Sequence, residues 1–549
     1  MGIYHDQVIE AAYLHTKPGC FYIGPFARRV SFASQQFRAL DLVAALSDKG
    51  KLVHPPRHPR AGRPKQIAVI GAGIAGLTAA AALRGQGCTV HLYERMDEPL
   101  VLQKNASHRL VHPTISRWPA ERLELTTDFP FLDWFAAPCD RVIACLRTEW
   151  LERLAPRPND PRYRFLPERT VTGISVDRGV IRLVVKPALE GVPIAYDYAF
   201  VTTGFDEEET AAGRDIVSYW TEDRIEEWRR DEERQIYISG CGDGGLIDAL
   251  RLVHGHFDRG WLTIRLAQML SGVFDKEIVD AENDALMAAK SLACMEMMTG
   301  SAKAAAATDR KVGGPYQNNQ IVRRLTAFYR DRLVPRLPAA ARALLDESLK
   351  EGRVAHGRVT LVSRQEEPFG PHSAPIHKIM VEHAIASGSI SYRRGELKPD
   401  GDSVIIEMED GADPITITEE MGLIVRHGSP ANLAGLASRA ESSSLRIRQF
   451  VLADYIETET RHALPPPRGY PSSEGERERE RYIGIRWAMA RELLDSLIPG
   501  AAVTALPDRF SLHRPLAPVT DRQPLELPTP RKIFGIPLED APMIEAEAL

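Results

Sequence analysis

Two unbroken apolar runs, each ending in glycine, organise the chain. The first, Ile67-Ala68-Val69-Ile70, enters Gly71-Ala72-Gly73-Ile74-Ala75-Gly76; the second, Ile236-Tyr237-Ile238-Ser239, enters Gly240-Cys241-Gly242-Asp243-Gly244-Gly245. A short apolar run closed by glycine reads as a buried strand, and the alanine- or leucine-rich stretch after each turn reads as a helix. After the first helix come a Gly-Cys-Thr turn, a second apolar strand, Val90-His91-Leu92-Tyr93, and then Glu94 and Arg95. The spacing predicts a complete strand–helix–strand unit over 66–95.

Weaker patterns fill in the rest. An amphipathic stretch over 34–46 predicts a helix, and the runs 173–176 and 180–185 predict a hairpin turning at Asp177-Arg178-Gly179. Tyr198 to Val201 is a strand ending in Thr202-Thr203-Gly204. Leu262-Thr263-Ile264-Arg265-Leu266 alternates like the strand that should follow the second glycine helix. Met421 to Gly428 reads as a strand returning the chain to the first domain. Residues 206–234 are charged and helical in pattern, a hinge, and 277–350 is a helical insertion rich in Ala, Met and Leu. Its Met287, Met295, Met297 and Met298 read as soft core, and its break at 313–320 as a polar loop. Beyond 465 a proline-rich linker, a helix with alternating charge over 476–497 and a proline-rich, acidic tail from 507 form an extension.

The glycine spacing has a physical reason. Gly71 permits the tight turn, Gly73 lets a diphosphate approach the backbone, and Gly76 lets the helix pack against the strand. The helix N-terminus then offers N–H groups and positive dipole to the phosphates. Glu94 stands where a carboxylate accepts both hydroxyls of a ribose, and its charge repels a 2′-phosphate, so this site suits FAD or NAD. Gly240, Gly242 and Gly245 repeat the pattern, with Arg265 about 20 residues on to pair with a 2′-phosphate. Gly242-Asp243 also admits a rival reading, as the Gly-Asp that contacts flavin ribitol in related folds.

The order of first glycine motif, Thr-Thr-Gly strand and second glycine motif resembles the two-dinucleotide-domain flavoproteins, among them thioredoxin reductase-like enzymes and the flavin-containing monooxygenases. The Ser34-Gln35-Gln36-Phe37-Arg38-Ala39-Leu40 wording is similar to the N-terminal extension of bacterial FAD-dependent oxidoreductases. The resemblance spans roughly 65–430. It implies FAD at the first motif, NAD(P)H at the second, and Thr202-Thr203-Gly204 in place of the family's Ala-Thr-Gly crossing, so that Gly204 joins the cofactor site. The expected fold is α/β: two Rossmann-like dinucleotide-binding domains with a helical insertion and a C-terminal extension. The expected boundaries are an N-terminal extension over 1–64, the FAD domain over 65–205, the hinge, a nicotinamide domain over 235–428 and a return segment with the extension over 429–549.

In related folds the loop after the ribose acid runs along the flavin. Here 107–119 gathers His108, Arg109, His112, Arg117 and Trp118, so Arg109, His112 and Trp118 are the candidate catalytic residues. Trp118-Pro119 is similar to the end of the Baeyer–Villiger monooxygenase fingerprint. His112 lies six residues ahead of Trp118 rather than four, however, and the Phe and Gly are missing. A second polar cluster, 368–378, holds His372 and His377.

Composition changes little: 549 residues, 44% hydrophobic and 26% charged, with net charge −5. That size predicts two or three domains, and the charge gives no reason to expect nucleic acid or an acidic membrane as partner. No apolar run reaches membrane-span length and the first residues lack a signal-peptide pattern, so a cytoplasmic protein is expected. The six cysteines form no C-x-x-C, which disfavours a disulfide reductase, and no Cys/His set has zinc-ligand spacing. The expected reaction is hydride transfer from NAD(P)H to FAD, with electrons passing to molecular oxygen and monooxygenation of a small organic substrate. An FAD-only amine or amino-acid oxidase and a nucleotide sensor without turnover are the alternatives. The Gly-Gly-Arg usual after the ribose acid of such oxidases is missing.

Overall fold

In the computed structural model the described residues are 2–427, interrupted at 25–28, 55–62, 128, 130, 157–159, 189–193, 205–217, 224, 232, 300–318, 353–354, 356, 401–402 and 410; beyond 427 they are 445, 448–449, 502–503, 512–513, 532–533 and 536–537. The chain opens with α1 (Gly2–Ala12), β1 (Cys20–Tyr22) and α2 (Phe32–Asp48). It continues through β2 (Gln66–Ile70), α3 (Ile74–Gly85) and β3 (Thr89–Tyr93). A small ladder of β4 (Leu110–Val111) on β5 (Ala137–Pro138), then α4 (Cys139–Glu149) and β6 (Tyr163–Leu166), lead to β7 (Thr170–Asp177), β8 (Val180–Lys186) and β9 (Tyr198–Val201).

The first sheet is parallel throughout, in the order β1-β9-β2-β3-β6. Its strands read as continuous apolar runs because both faces are covered. The predicted hairpin is β7 on β8, with Arg178 and Gly179 both at positive φ (49° and 77°) as a two-residue primed turn requires. The described residues of the N-terminal segment belong to this body. β1 is the sheet's edge strand, and α2, capped by reciprocal Ser31 and Ser34 hydrogen bonds, is buried along most of its length against α3.

The second body starts with β10 (Ile236–Ser239), α5 (Asp243–Val253), α6 (Trp261–Leu270) and α7 (Asp275–Thr299). It continues with α8 (Asn319–Ala327), α9 (Ala339–Gly352), β11 (Val359–Ser363) and α10 (Pro375–Ala386). Strands β12 (Ile390–Asp400), β13 (Ser403–Met408), β14 (Ile415–Ile417) and β15 (Gly422–Val425) complete it. The sheet order is β14-β13-β12-β11-β10-β15, parallel from β15 to β12 and antiparallel beyond. Its parallel part repeats the first sheet: β15-β10-β11-β12 matches β9-β2-β3-β6. Gly71 N–H donates to the Tyr93 carbonyl (2.8 Å) and Gly240 N–H to the Val362 carbonyl (2.9 Å). Thr202 N–H donates to Ile70 (2.8 Å) and Arg426 N–H to Ser239 (2.7 Å).

That register corrects two expectations. Leu262 to Leu266 is not a strand but part of α6, which is buried on almost every side; a helix enclosed by two cores loses its polar face, and its apolar residues then mimic alternation. Met421 to Gly428 holds β15, the last strand of the second sheet, and not a return strand. The chain comes back to the first body later: Leu445 joins the cluster under the first sheet, and Gln449 Nε2 donates to the Tyr22 carbonyl (3.0 Å). Met287 is 59% exposed and is not core. The side chains of Met295, Met297 and Met298, the loop over 313–318, the start of the hinge over 206–217 and the linker and helix over 465–497 lie outside the described residues.

Four histidines are buried uncharged. Burial pulls His91 and His108 down to about 4 and His112 and His254 to about 3. A base whose folded pKa is depressed leaves the unfolded state binding more protons, so stability is full above about pH 6.5 and falls as pH drops toward 4, by about 1.4 kcal/mol per pH unit for each group. Glu382, pushed up to about 7 by burial, acts the other way in the same window and offsets one of the four. Urea unfolding midpoints should therefore fall clearly between pH 6.5 and 5; a flat profile there contradicts this account.

Candidate functional site

Gly71 is in the left-handed region (φ 101°), and a Cβ there would stand 2.7 Å from the Thr202 carbonyl. The turn thus presses against the end of β9, where Thr202 Oγ1 donates to the carbonyls of Ile70 and Gly71 (2.9 Å each). A side chain at Gly76 would overlap the Gly71 carbonyl oxygen, so only glycine lets α3 start so close to the turn. Gly73 differs: it caps α3 in extended conformation with no side-chain cap, and a Cβ there meets nothing within 4 Å. Open space in front of uncapped helix N–H groups is what a diphosphate needs. Glu94 lies on this turn, its Oε2 accepting from Ala72 N–H (2.6 Å) and its Oε1 from Met96 N–H (3.0 Å). A carboxylate accepts at about four sites, so it retains capacity for ribose hydroxyls. Arg95 is exposed beside it, and Gly204 (φ 68°) has open space around it just past β9.

The second cradle has the same geometry. Gly240 (φ 121°) touches the Arg426 carbonyl, Gly245 leaves no room for a Cβ beside Gly240, and Gly242 caps α5 in extended conformation with His372 Nε2 nearest its Cβ position at 3.9 Å. Asp243 begins α5. Its Oδ1 lies 2.8 Å from His377 Nδ1 and accepts from Ala374 N–H (3.0 Å). Burial alone raises this carboxyl, but His377 and that N–H outweigh it and hold the group at about 2. The 368–378 cluster therefore belongs to this cradle.

The position matching Glu94 is Ser363, at the end of β11. Gln365 N–H donates to Ser363 Oγ (3.1 Å) as Met96 N–H does to Glu94, and Arg364 follows as Arg95 follows Glu94. Arg364 is half exposed and pairs with Glu396. Arg265, on α6, is not at that position. The helical insertion between α5 and β11 hid the true one from sequence reasoning.

The loop over 107–118 joins the two bodies. Arg109 is buried, and its guanidinium pairs with both oxygens of Asp248 on α5, donates to the Tyr219 carbonyl (3.0 Å) and lies 3.9 Å over the Tyr219 ring. Asp248 also accepts from Arg251 (3.0 Å) and Arg426 (2.8 Å), and Arg251 binds Asp223 (2.7 Å) and Glu226. Burial raises the Asp248 carboxyl, yet Arg109 and Arg426 more than reverse this and hold it well below the usual range. The Arg109 charge is thus spent on a carboxylate of the second body. Trp118 is in the second core, with Nε1 donating to Ser271 Oγ (3.1 Å). His112 Nδ1 accepts from the N–H groups of Thr114 and Ile115 (3.1 Å each), and Nε2 has no partner among the described residues. Asp248, Arg251 and Arg426 escaped sequence reasoning, although an acid and an arginine three residues apart on an otherwise apolar nucleotide helix are a usable signal.

Among the described residues no three His, Cys, Asp or Glu are gathered to hold a metal ion, and no helix is long and apolar enough to cross a membrane. Residues 66–255 match the profile of a family described as FAD dependent oxidoreductase. No curated protein matches the chain. Similar solved structures include bacillithiol disulfide reductase Bdr from Staphylococcus aureus (10% identity, 68% of this chain and 78% of that one, TM-score 0.36). Others are the thioredoxin reductase of T. acidophilum (10%, 71% and 99%, 0.31) and an NAD-dependent persulfide reductase from A. fulgidus (12%, 67% and 46%, 0.31). The matched segment contains the first cradle, Glu94, the 107–118 loop and the second glycine turn, so over these residues the chain is similar to FAD-dependent oxidoreductases, and its two sheets flanked by helices make it an α/β protein.

Replacing Asp248 by Ala leaves three buried guanidiniums without their shared anion, a loss of about 3–5 kcal/mol for a broken buried ion pair. Thermal unfolding should drop steeply in Asp248→Ala, while Glu98→Ala, which removes an exposed partner of Arg147 and Lys104, should stay within about 1 kcal/mol of wild type. Equal melting of the two variants would show that the cluster holds nothing together.

Proposed function

We propose that FAD lies in the first cradle and NAD(P)H in the second, and that hydride passes from the nicotinamide to the flavin and on to molecular oxygen, with monooxygenation of a small organic substrate where one is bound. The observation that carries this reading is the duplicated cradle: two glycine turns with the same backbone, the same tight contacts and the same open N-cap in one chain. Gly71, Gly73, Gly76, Glu94, Arg95 and Gly204 serve FAD; Gly240, Gly242 and Gly245 serve the nicotinamide nucleotide. The difference between the cradles selects their ligands. Glu94 accepts ribose hydroxyls, whereas Ser363 and Arg364 present a hydroxyl and a guanidinium, which favours a 2′-phosphate and therefore NADPH. Flavin supplies the redox chemistry once bound, and the chain supplies position and exclusion of water.

Oxygen rather than a disulfide fits the thiols. Burial pushes Cys20, Cys88 and Cys241 up to about 12 and Cys139 higher still, and a thiol held protonated is a poor nucleophile for disulfide exchange. Without an organic substrate the balance is NADPH, a proton and O2 giving NADP+ and H2O2. A second reading, the FAD-only oxidase, draws support from Asp243, whose carboxylate stands in the first turn of the second cradle where a diphosphate would come.

Gly73→Val should fold, since its side chain enters open space, yet purify colourless because that space is the diphosphate's. Yellow Gly73→Val protein of full intensity would remove FAD from the first cradle. Anaerobic NADPH should bleach the wild-type flavin faster than NADH, and Arg364→Ala should erase that preference, a change of about tenfold or more for a lost charge-assisted contact. Failure of both nucleotides to bleach the flavin favours the oxidase.

A further inference from the structure

The loop after Glu94 is tied to the first cradle by Leu100 N–H donating to the Ala72 carbonyl (3.2 Å), and it then threads between the two cores. Val111 packs in the first core and Trp118 in the second, with Ile115 touching both. Most of its polar groups are matched inside the protein. Arg109 has Asp248, His108 Nε2 lies 3.4 Å from Asp223, Arg117 pairs with Glu121 (3.1 Å), Thr114 Oγ1 accepts from Glu124 N–H (3.1 Å) and Trp118 has Ser271. Three buried atoms of the loop are left over among the described residues, His108 Nδ1, His112 Nε2 and Ser116 Oγ, and the last two lie only four residues apart.

The state of His112 follows from geometry. The residue is only 4% exposed. Two backbone N–H groups point at Nδ1, so that nitrogen must present its lone pair, and the one proton of the neutral ring sits on Nε2. His112 thus offers an N–H of fixed direction from a buried, rigid turn. Buried N–H groups are almost always matched, and a fixed donor left over on a loop packed between the two cores is a donor awaiting an acceptor.

We infer that His112 Nε2–H and Ser116 Oγ–H form a donor pair that receives the acceptor atoms of the flavin ring in the seam between the two bodies. This rests on the FAD reading above, and it assigns the ring's hydrogen bonding to two loop donors, His112 Nε2 and Ser116 Oγ, that have no partner among the described residues. Arg109 and Trp118 then act as positioning residues that hold the loop in place.

The structural and ligand roles of His112 separate cleanly. In His112→Asn the amide oxygen can take over the Thr114 and Ile115 N–H groups, as asparagine does in its own turns, while the Nε2 donor is gone. In His112→Gln an amide N–H reaches toward the Nε2 position, but the cap is lost. The full-length protein is stripped of flavin and titrated with FAD, following fluorescence quenching and the visible spectrum. His112→Asn should melt like wild type without FAD, bind FAD about tenfold more weakly, the worth of one buried hydrogen bond, and show a shifted flavin absorbance band. Ser116→Ala should move both readouts in the same direction, and His112→Gln should melt lower yet bind FAD closer to wild type. If wild type binds FAD while His112→Asn and Ser116→Ala match it in affinity and spectrum, the pair serves only ordered water and the inference is overturned. If wild type binds no FAD, the proposed function fails instead.

Discussion

Asp248 is the constraint on which the arrangement depends. A carboxylate with no exposed surface is costly to bury, and it is stable here because three guanidiniums converge on it from three places. Arg251 is one turn along the same helix, Arg426 follows the last strand of the second sheet, and Arg109 reaches over from the loop of the first body. One buried anion thus sets the second glycine helix against its own sheet and against the loop that reaches across from the first body. The guanidiniums need Asp248 as much as it needs them, which makes the seam between the bodies a specific interface rather than an apolar contact.

The two cradles show how a shared backbone solution leaves specificity to a few side chains. Where a Cβ would collide, at Gly76 and Gly245, both units require glycine for packing; where a Cβ would meet open space or nearly so, at Gly73 and Gly242, glycine keeps room for a ligand. Those positions are equivalent and cannot tell one nucleotide from another. The two units differ at the ends of the second strands, Glu94 against Ser363 with Arg364, and at the first helical residue, Ile74 against Asp243; under the proposed function these differences select the ligand. The acidic Asp243 would oppose a diphosphate were it not held by His377 and the Ala374 N–H.

The legible parts of the sequence were those whose physics is local. The first unit, from β2 to Glu94, fits within 30 residues, and its strand, turn, helix and acid fall in one window. The hairpin at Arg178-Gly179 and the α2 helix were equally readable. The strand carrying Ser363 was not, because the helical insertion separates it from its glycine turn and only the sheet register reunites them. Arg265 took its place on the strength of an alternation produced by a helix buried on both sides. In the 107–118 loop the residue types point to a segment that packs on both cores, but a sequence does not say which body a side chain faces. Arg109 and Trp118 turned out to be bound to the second body, and the least conspicuous candidate, His112, is the one left with a donor to spare.

Cys241 shows how closely burial and anion binding are linked in the second cradle. It lies inside the glycine turn, between Gly240 and Gly242, where a thiolate would put negative charge directly against a bound phosphate. Burial raises its pKa to about 12, while a hydrogen bond with Ser363 pulls the other way. The thiol therefore stays neutral over the whole physiological range, and the turn keeps its positive character. The same desolvation that makes this cysteine useless for disulfide chemistry keeps the cradle fit for a diphosphate. Cys241 accordingly supplies no reactive thiol to the second cradle.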